Sequence, residues 1–79
     1  MELQNGEENI VLTERELNII KLLAKGMSNE EISKTLHISV HTTKAHLESI
    51  YEKLSAKNRV QAVVKSVQNG MIDMENIKF

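Results

Sequence analysis

Apolar residues recur at helical spacing in four separate stretches of the chain. Leu17, Ile20, Leu23 and Ala24 mark the first, with Ile19 and Leu22 widening its apolar face. Ile32 and Leu36 mark a short second one, and Thr43, Leu47, Ile50 and Leu54 share one stripe of a longer third. The fourth carries two stripes: Ala62, Val63 and Ser66, and Val60, Val64 and Val67 extended by Met71. One stripe suffices to dock a helix on so small a bundle. The second is extra core or a contact surface for another subunit.

Polar residues fix where these helices start and stop. Thr13 with Glu16, and Ser28 with Glu31, are capping boxes. Ser39 caps the third helix and Asn58 the fourth, while Gly26 and Gly70 end the first and last. An alternative role for Glu16 is a buried polar contact at a helix junction. Ile38 is expected to plug the core from the turn after His37. These signals predict an all-α fold, a compact four-helix bundle with helices over about 14–25, 29–36, 40–54 and 59–69. The second and third are separated by about three residues, which is helix-turn-helix spacing.

Residues 1–10 read as a flexible lead-in or the end of a linker, 11–72 as the folded domain, and 73–79 as a tail whose Ile77 and Phe79 are not counted on for the core. The composition suits a helical bundle, with no Cys, no Pro and only Tyr51 and Phe79 as aromatics. No apolar run reaches membrane-spanning length and no signal pattern appears, so a cytoplasmic location is expected. The net charge of −1 conceals an asymmetry. Residues 1–36 carry −3, residues 37–65 carry +3 and residues 66–79 carry −1. All three histidines lie in the basic section, and a local positive surface is what nucleic acid requires.

The third helix has two faces. Opposite its apolar stripe lie His41, Lys44, Ala45, Glu48 and Glu52. That face is either a solvated surface or the reading face of a recognition helix. A metal site from His37, His41 and His46 is not expected. His37 precedes the helix cap, and His41 and His46 diverge by about 140° at the helical period. His46 is expected to be a partly buried packing residue. No nucleophile elbow, glycine-rich loop or carboxylate pair supports an enzyme.

The segment from Leu12 to Ile72 resembles the LuxR/FixJ-type DNA-binding domain. The motifs are LTxRE at 12–16, GxSNxEI at 26–32, LxIS at 36–39, TxKxH at 42–46, KL at 53–54 and NRxQAV at 58–63. Each is weak alone; their order and spacing together are specific. The resemblance implies a transcriptional regulator of double-stranded DNA whose third helix enters the major groove. Lys44 and Ala45 match positions that face bases, Glu48 matches one where relatives use a polar or basic residue, and His41 is a further candidate. Thr42 and Thr43 match the helix start that holds phosphate; Lys57 and Arg59 match backbone contacts, and Ser28 and Asn29 offer another helix N-terminus. Pairing as a homodimer through Val60, Val64, Val67, Gln68 and Met71 is implied, with RNA polymerase a further partner.

No cofactor, metal or small molecule is expected within this domain. Thr43 stands in place of a usual Val, Ser49 of a frequent Asn and Ala56 of a frequent Val. The Thr43 hydroxyl needs a partner one turn back. Glu48 repels phosphate yet can accept from cytosine N4, so it is expected to restrict binding rather than abolish it. Two alternatives share parts of the pattern. The fourth region of a sigma factor has LTxRE and the helix-turn-helix but usually lacks the NRxQAV helix. A protein-interaction bundle explains the valines but not the clustered cations.

Overall fold

The computed structural model describes residues 10–73 and Glu75. The expected lead-in, apart from Ile10, and the tail residues Ile77 and Phe79 lie outside this range. Four helices follow in order: α1 (Glu14–Ala24), α2 (Asn29–Leu36), α3 (Val40–Leu54) and α4 (Arg59–Gln68). Both capping boxes form reciprocally. Thr13 Oγ1 accepts from the Glu16 N–H while Glu16 Oε1 accepts from the Thr13 N–H, and Ser28 and Glu31 repeat the arrangement. Ser39 and Asn58 accept from the N–H three residues on.

All four helices end in the same way. A residue in the left-handed region follows the last turn, and the next N–H reaches back to a carbonyl five residues earlier. The pairs are Met27 to Leu22, Ile38 to Ser33, Ala56 to Tyr51 and Met71 to Ser66. Gly26 (φ 89°) and Gly70 (φ 73°) take up the left-handed position as expected. His37 (φ 59°) and Ser55 (φ 54°) do so without being glycine, at a cost of about 1 kcal/mol each.

α3 is the central element, packing on α1, α2 and α4. Its predicted stripe of Thr43, Leu47, Ile50 and Leu54 is buried in full. Ile19, Ile20, Ile32 and Ala62 meet it in the core, and Ile10, Leu36 and Ala56 pack around the edge. In α4 only Ala62 and Ser66 are fully inward; their small size lets α4 approach closely. Ile38 does not plug the core. The left-handed turn at His37 leaves it half-buried, lining an open groove with Glu30, Ser33, Lys34, His37 and Val40. No described helix is long and apolar enough to cross a membrane.

Candidate nucleic-acid interface

Burial of one α3 stripe forces the opposite face outward. His41, Lys44, Ala45, Glu48 and Glu52 are all exposed on it. The helix is held at this angle from two sides. On the α2 side, Ser33 Oγ and Thr43 Oγ1 lie 2.7 Å apart in a buried contact. Ser33 Oγ also lies 2.7 Å from the Asn29 carbonyl and Thr43 Oγ1 3.1 Å from the Ser39 carbonyl, so one hydroxyl donates across the interface while the other donates to its carbonyl. The Thr43 hydroxyl therefore has the backbone partner its position requires, and a cross-helix partner besides.

On the α1 side, Glu16 serves as more than a cap. Its Oε1 also accepts from Lys53 Nζ and its Oε2 from Ser49 Oγ, both at 2.8 Å. Both readings of Glu16 thus hold at once. Burial raises the cost of charge on this carboxyl. The hydrogen bonds from Lys53, the Thr13 N–H and Ser49, with the Lys53 charge, outweigh that cost and lower its pKa from 4.5 to about 2. Ser49, in place of the frequent Asn, is long enough to make its bond.

The residues expected to hold phosphate differ in exposure and in the partners they already have. The Thr43 side chain has no exposed surface, so its hydroxyl cannot reach a phosphate as the resemblance implies. Thr42 is half-buried at the α3 start, and its hydroxyl accepts from Ser39 Oγ (2.9 Å). Ser28 and Asn29 begin α2, but Glu30 and Glu31 already place two carboxylates in that first turn. Lys57 is exposed, with its backbone N–H on Gln61 Oε1. Arg59 is exposed but engaged: its Nη2 donates to the Met27 carbonyl at 2.6 Å, tying α4 to the turn between α1 and α2. Lys65 Nζ likewise donates to the Ser55 carbonyl. Part of the basic section thus serves internal contacts.

The four helix starts differ in charge. α1 and α2 carry acids in their first turns, whereas α3 and α4 carry none. The signal was present in the caps, since Ser39 and Asn58 lack the glutamate three residues on that completes a box. The N-terminal poles of α3 and α4 are therefore not offset by a carboxylate.

The stripe assigned to a second subunit also changes. Val67 and Met71 pack against the core as partly buried residues. Val60 (68% exposed) and Val64 (47%) face outward, with Gln68 continuing their line. His46 is half-buried, as a packing residue would be. Among the described residues, no group of three His, Cys, Asp or Glu is placed to hold a metal ion.

A short capped helix, a tight left-handed turn and a longer helix with one exposed face define a helix-turn-helix DNA-binding domain. Residues 10–66 match the family described as bacterial regulatory proteins, luxR family. The chain is 44% identical over 69 residues to the response regulator protein VraR of Staphylococcus saprophyticus, covering 87% of this chain and 33% of that protein. It is 45% identical over 62 residues to the proteins of the same name from Staphylococcus aureus and Staphylococcus epidermidis, covering 78% of this chain and 30% of each. The chain belongs to the luxR family, and it is a DNA-binding domain of transcription regulators. It spans about a third of the length of the curated relatives it matches.

Proposed function

We propose that α3 lies in the major groove and reads base edges with His41, Lys44, Ala45 and Glu48. The observation that carries this reading is the exposed outer face of α3 beginning at a helix start free of acid. Phosphates are held by that helix start, with Thr42, and by the α4 start, with Lys57. Arg59, Ser28 and Asn29 contribute at the margin, because each already meets an internal partner or a neighbouring carboxylate. Two copies pair through Val60, Val64 and Gln68, with Val67 and Met71 at the edge, which makes the second half-site local and raises avidity. The whole protein is a regulator of the response-regulator kind named for its relatives, acting in the cytoplasm. The exposed residues of α1, Glu14, Asn18 and Lys21 among them, remain for a protein partner such as RNA polymerase.

Selection of bound sequences from random duplex DNA at two salt concentrations tests this. The expected result is an enriched inverted or direct repeat whose affinity falls steeply with salt. Equal binding to selected and random duplexes would discard the reading.

A further inference from the structure

Along α3 the exposed face changes sign. His41 and Lys44 occupy its first turns, Glu48 and Glu52 its later ones. At 3.6 residues per turn, His41, Ala45, Glu48 and Glu52 fall within about 60° of one another and form one ridge, with Lys44 at its flank. Among the described residues the Glu48 carboxylate makes no hydrogen bond or ion pair; the one ion pair there joins Lys53 to Glu16. The neighbouring Ser49 and Lys53 are taken up by Glu16 on the other side of the helix. Glu48 thus stands on the ridge with no cation bonded to its carboxylate.

A carboxylate in that position is repelled by the phosphates lining a groove, whatever the sequence. Only a base that offers a hydrogen-bond donor offsets the repulsion. The major groove has two such donors, cytosine N4 and adenine N6. Adenine sets its N7 acceptor beside N6, facing the second carboxylate oxygen. Cytosine presents only C5–H there. Thymine O4 and guanine O6 and N7 are acceptors and are repelled.

We propose that Glu48 is a specificity-determining residue that admits cytosine and rejects thymine and guanine at one position of each half-site. This rests on the reading of α3 as the groove helix. Lys44 lies one turn earlier, about 6 Å along the axis, where it donates to guanine O6 or N7 on a neighbouring pair. Ala45 between them is too short to compete and leaves room for a base methyl.

The test is selection from random duplex DNA with the 79-residue chain and with Glu48→Ala and Glu48→Gln. Glu48 is exposed, so both variants are expected to melt as the parent does. The parent enriches cytosine at one position, preferring it over thymine there on the order of tenfold. Glu48→Ala loses that preference. Glu48→Gln exchanges cytosine for adenine, because the amide donates to N7 and accepts from N6. The same base enriched by all three proteins at every position overturns the inference while leaving the groove reading intact. No enriched sequence with the parent overturns both.

Discussion

Ser33 Oγ and Thr43 Oγ1 meet at 2.7 Å in the interface between α2 and α3, ten residues apart in the chain. Each hydroxyl has a second partner on its own side of the turn, the Asn29 and Ser39 carbonyls. Either hydroxyl can donate across the interface while the other donates to its carbonyl. Loss of one partner therefore leaves the survivor satisfied. Ser33→Ala and Thr43→Val are each expected to cost no more than about 1 kcal/mol, because no buried group is orphaned. The double variant is expected to cost less than the sum of the singles, by about 0.5 kcal/mol or more. Denaturant unfolding of the four proteins measures this; strict additivity would show that the two hydroxyls do not interact.

Glu16 connects α1 to α3 through Ser49 and Lys53, and its depressed pKa makes that connection sensitive to acid. The carboxyl titrates at 4.5 when unperturbed and at about 2 in the folded chain. The stabilisation is fully present above pH 4.5 and is lost as pH falls towards about 2. A shift of this size corresponds to roughly 3 kcal/mol at neutral pH. Unfolding free energy is expected to drop most steeply between about pH 4.5 and 2. Glu16→Gln should remove most of that slope and lower neutral-pH stability by about 2–3 kcal/mol. Parallel pH curves for parent and variant would assign the acid sensitivity elsewhere.

The helices were legible because their signals are local. Capping boxes at Thr13 and Ser28, the caps at Ser39 and Asn58, and glycines at 26 and 70 all act within one turn. The outer face of α3 was legible for the same reason, as the complement of a periodic apolar stripe. What the sequence hid depends on contacts between distant residues. Lys53 reaches Glu16 across 37 positions, and Arg59 reaches Met27 across 32. Periodicity counts both as surface cations. The left-handed turns at His37 and Ser55 were hidden too, because no glycine marks them and packing of the neighbouring helices sustains their cost. Periodicity puts Thr43 in the core and the motif puts it on phosphate; burial decides for the core.

Lys57 and Arg59 stand two residues apart at the start of α4 but should answer differently to substitution. Lys57→Ala removes a cation whose ammonium has no partner among the described residues. It should reduce the slope of log affinity against log salt by about 0.9 and leave thermal stability unchanged. Arg59→Ala removes the bond to the Met27 carbonyl. It should lower stability by about 1 kcal/mol, with a smaller change in salt slope. DNA titrations at several salt concentrations, paired with thermal melts, separate the two effects. A reversed pattern would place Arg59 on phosphate and Lys57 in a structural role.

Val64 and Val67 lie on adjoining faces of α4 with different surroundings. Val64 is 47% exposed, whereas Val67 packs against the core. Val64→Glu should stay within about 0.5 kcal/mol of the parent in stability and lose cooperativity on a two-half-site duplex. Val67→Glu should cost about 1–3 kcal/mol in folding, because it sets a carboxylate against apolar neighbours. Titrations of duplexes carrying one or two half-sites report the pairing. Undiminished cooperativity in folded Val64→Glu would move the dimer contact off this face.

Lys44 divides base reading from phosphate holding. It is exposed on the outer face of α3, one turn beyond the Ser39 cap. A lysine that donates to guanine in the selected site loses that contact only there. Lys44→Ala should then weaken the selected duplex by about 1–3 kcal/mol and random duplex far less. A lysine on phosphate would weaken both alike, because the backbone is common to every sequence. Competition titrations of the two duplexes against the same protein give the ratio directly. Equal losses would leave α3 in the groove but shift the reading of bases to His41, Ala45 and Glu48.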